Sequence, residues 1–291
     1  KSSLGELENI ALRLGIMQKS VSPRINKKGV IVFAGDHGVV KHGVSAFPQA
    51  VTVQMVYNFL AGGAAINVLA NYIDAKIFIV DAGVNFDFPS TTQLISNKIM
   101  NGSGDLYKED AMTLAQAKKN VQLGKAITKK ILKENSFDII AIGEMGIGNT
   151  TSASIISGCI CKMPAMKITG RGTGIDDKSL NIKRKIIGDS LKKIRNISDP
   201  YRILSAVGGC EIAQICGALL ACRESRVAVA IDGVICTAGA LLAQMIDPKT
   251  TDFMFAGHKS AEPAHIYALK KLGLKPILDL GMRLGEGTGG V

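Results

Sequence analysis

Tryptophan is absent from this chain of 291 residues, and all aromatic residues together make up only 5% of it. So few rings leave few platforms on which unpaired bases could stack. The formal net charge of +11 therefore reads as a lysine-rich solvated surface and not as a nucleic-acid footprint. The lysines agree, lying in scattered clusters such as Lys129-Lys130 and Lys183 to Lys185 on the outer faces of expected helices. No apolar run approaches the length of a bilayer span, so no transmembrane helix and no membrane partner are expected. No secretory signal is visible. The chain starts at Lys1 without methionine and stops at Val291 just after a glycine-rich loop, so trimming at both ends is expected.

Other signatures are missing too. The six cysteines include no CxxC pair and no cysteine–histidine group with zinc spacing. They sit inside apolar or helical runs, as reduced core thiols of a cytoplasmic protein do. Cys210 has no evident partner that would make it a nucleophile. The four histidines are dispersed, and no metal site is expected. There is no GxSxG elbow, no GxxxxGK[ST] loop and no GxGxxG fingerprint.

What is present is one unit repeated about six times: a short apolar strand, then glycine with a polar group, then a helix. Strands are expected at 30–34, 76–80, 139–142, 227–231, 252–256 and 276–280, with a further short one at 203–207. Helical spacing marks 4–19, 51–60, 64–72, 111–134, 150–161, 181–193, 211–222, 237–245 and 262–272. Residues 85–107 read as a long loop or a small hairpin. The alternation predicts an α/β protein with a parallel sheet and helices on both faces. In such sheets ligands bind beyond the carboxyl ends of the strands. The polar residues Asp36, His37, Asp81, Glu144, Asp232, His258, Ser260 and Glu286 collect at those ends.

The stretch IIAIGEMGIGNTTSAS at 139–154 organises the rest. Ile139, Ile140 and Ile142 suit a strand buried on both faces. Gly143, Gly146 and Gly148 permit a tight turn and close approach to a ligand. Asn149, Thr150, Thr151 and Ser152 then offer hydroxyls and an N-cap at a helix start, where an anion such as phosphate is the expected guest. A second glycine-rich loop lies at 170–174, and with Arg171 and Lys259 nearby the two loops point to phosphate binding. Glu144 would repel a phosphate, so it is expected to face another part of the ligand. Glu286, flanked by Gly285 and Gly287, is an unusual glutamate. It reads either as an exposed turn residue or as a base in a partly dehydrated pocket, where burial raises its pKa.

The runs GDHGV at 35–39, GEMGIGNTTSAS at 143–154, GRGTG at 170–174, GHKSAEPAH at 257–265 and LDLGMRLGEGTG at 278–289 cover nearly the whole chain. Together they resemble the nicotinate-nucleotide–dimethylbenzimidazole phosphoribosyltransferases of cobalamin lower-ligand synthesis. The resemblance implies a cytoplasmic homodimer. Its fold would be a Rossmann-like α/β sheet over 30–291, plus a smaller helical domain from terminal segments, to which 1–29 belong. It implies transfer of the 5-phosphoribosyl group of nicotinate mononucleotide to 5,6-dimethylbenzimidazole, with inversion at the anomeric carbon and with no metal or organic cofactor. It makes Glu286 the general base and places Glu144 beside it to position the base substrate or assist the proton transfer. The phosphate and ribose would be held by Gly146, Gly148, Asn149, Thr150, Arg171, Gly172, Thr173 and Ser260. The base pocket would be lined by Ser45, Phe47, Gln54, Met145 and Leu284. Adenine or a phenol is the alternative acceptor, and a non-catalytic nucleotide-binding sensor is the alternative class.

Overall fold

The computed structural model describes residues 3–291; Lys1 and Ser2, the first residues of the expected 1–29 segment, lie outside the described residues. The strands are β1 (Lys28–Gly35), β2 (Ala75–Gly83), β3 (Leu94–Ser96), β4 (Ile139–Met145), β5 (Ala228–Ile231), β6 (Met254–His258) and β7 (Pro276–Leu278). They form one seven-stranded sheet in the order β3-β2-β1-β4-β5-β6-β7, and every neighbouring pair is parallel. The chain thus winds outward from β1 in one direction, then returns to β4 and winds outward in the other. The crevice between the carboxyl ends of β1 and β4 is the place where such a sheet opens for a ligand.

The helices are α1 (Glu6–Gln18), α2 (Ala50–Leu60), α3 (Ala65–Tyr72), α4 (Leu114–Asn135), α5 (Asn149–Cys161) and α6 (Ala165–Ile168). There follow α7 (Asp177–Ile194), α8 (Pro200–Val207), α9 (Cys210–Ser225), α10 (Val234–Ile246) and α11 (Pro263–Leu272). Strand side chains alternate between faces, and the two faces are covered unequally. Ile31, Phe33, Ile140, Ile142, Val229 and Ile231 enter the large core with α4, α5 and α7 to α11. Val30, Val32, Ala34 and Ala141 face a smaller core supplied by α2 and α3 through Val56, Phe59, Ile66 and Ala70. Helix α1 seals the base of the sheet: Leu14 and Met17 pack with Ala228 and Phe255, and Arg13 donates to the carbonyls of Thr251, Asp252 and Met254.

Two expectations change. Residues 203–207 are not a strand but the end of α8. Asp199 caps that helix, accepting from the N–H groups of Tyr201 at 2.7 Å and Arg202 at 3.2 Å, and Pro200 occupies its first turn. An N-cap followed by proline is a helix start, and it decides a short apolar run that periodicity alone cannot assign. Residues 85–107 form no hairpin; they contribute β3, which pairs parallel to β2 at the sheet edge. One expectation on apolar runs needs correction as well. By length and composition the 23 residues Ala50–Tyr72 would reach across a bilayer, but they fold as two separate helices, α2 and α3, broken at the glycine pair Gly62-Gly63.

Helices α4 and α9 meet backbone to backbone. A methyl group on Gly124 would overlap the Gln214 carbonyl oxygen, and one on Gly217 would overlap that of Val121. Gly124→Ala is therefore expected to lower stability by about 1–3 kcal/mol through overpacking, despite alanine's better helix propensity. Gly188→Ala in α7, where the new methyl would sit 3.7 Å from Ala165 Cβ, should instead raise it by about 0.5–1 kcal/mol. Urea denaturation of the two variants checks both signs.

Candidate active site

Beyond the ends of β1, β4, β5 and β6 lies a cavity of about 310 Å³ with apolar walls from Val51, Met55, Met145 and Ile147 and a partly exposed rim at Phe47 and Leu284. Glu144 and Glu286 both line it. Register places Glu144 opposite Phe33 on β1, one step before the strand ends. Its side chain is buried and takes a hydrogen bond from Asn149 Nδ2. Burial, reinforced by the charge of Asp232 and opposed by the Asn149 bond, pushes the Glu144 carboxyl up to about 8.

Glu286 sits in a turn rather than on an element, and several contacts fix it. Its backbone is left-handed, with φ of 66°, a conformation uncommon for a residue with a side chain. Its N–H donates to the Glu144 carbonyl at 3.2 Å. Asp232, at the end of β5, accepts the N–H groups of Gly287 at 2.9 Å and Gly289 at 2.8 Å through its two oxygens. His258 on β6 stands 3.2 Å from the same Asp232. The loop can lie this close to the sheet because Gly143 has no side chain: a Cβ there would overlap the Glu286 backbone. Glu286 is thereby only 6% exposed. Its Oε2 accepts the N–H of Ile66 in the first turn of α3 at 3.2 Å. Burial raises its pKa above the usual carboxylate range, the Ile66 bond opposes that rise, and Asp232 adds to it.

At the far end of the cavity the α5 N-terminus presents Gly146, Asn149 and Thr150. The cation on the lining is Arg283; behind the wall stands Lys183 of α7, fully buried, whose Nζ donates to Thr150 Oγ1 at 2.8 Å. Burial pushes it down to about 8, with Glu262 pulling the other way. Gly172, Thr173, Ser260 and Glu262 complete this end. Ser260 is held by its N–H, which donates to His265 Nδ1 at 2.8 Å. His265 is a neutral ring, since burial and the neighbouring His258 push it down to about 4.

The structure thus brings Glu144, Glu286, Phe47, Met145, Leu284, Gly146, Asn149, Thr150, Gly172, Thr173 and Ser260 to one cavity. It does not bring Arg171, whose guanidinium donates to the Ile175 carbonyl and pairs with Asp177. Lys259 is likewise committed, to Asp279. Gln54 is exposed away from the lining, and Ser45 reaches the site only through Thr173. Gly148 turns the chain with φ of 95° and packs on Val40, so its role is in the turn itself. The Gly172 N–H is already given to Glu262 Oε1 at 2.8 Å. Lys183 and Glu262 escaped sequence reasoning because each sits in a run that reads as an ordinary helix surface or helix start; the one available sign was a lysine at a position where α7's apolar spacing calls for a core residue. Cys210 is buried away from the cavity, and burial raises its thiol pKa. Among the described residues no three His, Cys, Asp or Glu side chains are grouped to ligate a metal ion.

A phosphoribosyltransferase family model matches residues 1–291. The nicotinate-nucleotide–dimethylbenzimidazole phosphoribosyltransferase of Chloroflexus aurantiacus is 45% identical over 290 residues, which is 99% of this chain and 82% of that protein. The enzyme of the same name from Dechloromonas aromatica is 43% identical over 290 residues, again 99% of this chain, and 83% of its own length. The crystal structure of CobT from Thermus thermophilus superposes with a TM-score of 0.96 at 40% identity, covering 99% of this chain and 86% of that one.

The displaced Glu144 pKa has a consequence for stability. Between the ordinary value of 4.5 and about 8 the folded protein keeps a proton that the unfolded chain has lost, so this group's contribution declines as pH rises through that window. Glu144→Gln should therefore gain in thermal midpoint relative to the parent as pH increases from about 5 to about 8. Parallel midpoint-against-pH curves for the two proteins would refute the assignment.

Proposed function

This chain belongs to the nicotinate-nucleotide–dimethylbenzimidazole phosphoribosyltransferase family, a group of pentosyltransferases, and from that premise we propose that it transfers the 5-phosphoribosyl group of nicotinate mononucleotide to 5,6-dimethylbenzimidazole with inversion at C1′. The observation that carries this reading is the setting of Glu286: buried, pinned at one oxygen by the Ile66 N–H, and held by Asp232 through the backbone of its own loop.

The chemistry follows from the charges. The bond between C1′ and the pyridinium nitrogen breaks with its electron pair going to nitrogen, so nicotinate leaves without needing a proton. A benzimidazole nitrogen gives its lone pair to C1′ from the opposite side. The proton on the other ring nitrogen passes to Glu286, whose raised pKa makes it a better acceptor than an ordinary carboxylate. Glu144, pushed up to about 8, presents a neutral hydrogen-bonding group to the base. The flat acceptor lies between Met145, Ile147 and Phe47. The Thr150 hydroxyl at the start of α5 takes the 5′-phosphate, with Lys183 behind it and Arg283 on the lining as the cations in place of Arg171. Such a ring pocket also suits adenine or a phenol, and a panel of acceptors ranks them.

The same proposal includes a homodimer, supported by exposed Val68 and Tyr72 on α3 and by exposed Tyr57 and Phe86, whose rings meet edge to face. It also includes a large domain over 30–291 with 1–29 as part of a smaller helical one, and a cytoplasmic setting.

Glu286→Gln is expected to cut kcat by about a hundredfold or more while KM for both substrates changes little, read by nicotinate release and product mass. Normal turnover by that variant would end the role given to Glu286. Lys183→Met should raise KM for nicotinate mononucleotide about tenfold or more, with a smaller effect on KM for the acceptor; an unchanged value would place the phosphate elsewhere.

A further inference from the structure

Glu262 and Thr173 stand apart from the reacting groups, yet they join the two ends of the cavity. Glu262 is more than nine-tenths buried at the start of α11. Its Oε1 accepts the Gly172 N–H at 2.8 Å. Its Oε2 is buried without a hydrogen-bond partner and fills the space that a side chain on Gly170 would occupy. Lys183 Nζ borders the same loop, 3.2 Å from the Cβ position of Gly172, and feels the charge of Glu262. One residue on, Thr173 Oγ1 accepts the Ala46 N–H at 3.0 Å and lies 3.1 Å from Ser45 Oγ. Ser45 Oγ in turn accepts the Phe47 N–H at 3.2 Å. Residues 46–48 are exposed, so Phe47 is placed on the acceptor rim by this hydrogen-bonded chain on one side and, on the other, by Pro48, whose carbonyl accepts the Val51 N–H of α2 at 3.1 Å.

We propose that Glu262 is a positioning residue that couples the phosphate end of the cavity to its acceptor end through Gly172 and Thr173, so that each substrate binds more tightly when the other is present; this rests on the reading of the site given above. An anion drawn to Lys183 must share that cation with Glu262, and Glu262 is what holds Gly172. Any adjustment of Gly172 moves its neighbour Thr173, and Thr173 carries the Ser45 to Phe47 segment. Linkage makes the effect reciprocal.

The test uses two probes that together cannot react: ribose 5-phosphate, which has no leaving base, and 5,6-dimethylbenzimidazole. Calorimetric titration of the intact protein should show the benzimidazole binding about fivefold or more tightly when ribose 5-phosphate is saturating, and the reverse titration should show the same factor. Thr173→Val removes both hydrogen bonds at an exposed position where folding is not at risk, and should bring the factor to within about twofold. Thr173→Ser, which keeps the hydroxyl, should restore it, and Glu262→Ala should lose it. A parent protein that binds both probes independently would overturn the coupling while leaving the site assignment intact, as would undiminished coupling in Thr173→Val. A parent protein that binds neither probe would remove the site assignment and the proposal with it.

Discussion

Asp232 is the constraint on which the site depends. It is fully buried at the end of β5 and spends both oxygens on backbone N–H groups of one loop, those of Gly287 and Gly289. A carboxylate in that position has two effects that work together. It fixes the backbone on which Glu286 rides, and its charge raises the proton affinity of Glu286 and Glu144 alike. Burial does most to raise the basicity, and Asp232 adds to it while also fixing the geometry, because β5 delivers Asp232 to the loop while β4 delivers Gly143 to make room for it.

The two carboxyl groups have different surroundings. Glu144 lies within a strand, deep and close to Asp232, and keeps its proton at neutral pH. The Glu286 side chain reaches the start of α3, where an N–H and the positive end of the helix favour the charged form. The two neighbouring carboxyl groups thus meet different local environments at one site.

Much of this was legible in the sequence because local rules and the global fold agree. Apolar β-branched runs ending in glycine and a polar residue became strands of a parallel sheet, and their polar ends gathered at one edge. The run 203–207 was misread because so short and mostly apolar a run fits a strand or a helix equally, and the deciding signal was Asp199-Pro200 just before it. Strand order was not legible, since nothing in the residues of β4 alone says that it pairs with β1 and not with β2. Arg171 looked right for phosphate by type, but its own loop and Asp177 absorb it. Lys183 looked like one more surface lysine, and only the packing of α7 against α5 shows that it points inward to Thr150. Charge at a site is set by which side chains the fold leaves without other partners, and spacing does not record that.

The contact of the Glu286 loop with Gly143 and Val30 also bears on how the molecule assembles. Gly287 meets Gly143 and Val30, residues contributed by β4 and β1 from distant parts of the chain. Pairings across such long sequence separations pay their loop-closure entropy before the contacts repay it, which makes them slow to form. The sheet can be complete in both of its halves while Glu286 is still out of place. Collapse of the sheet and gain of activity are then separate events in time, and a refolding protein would recover its secondary structure before its turnover.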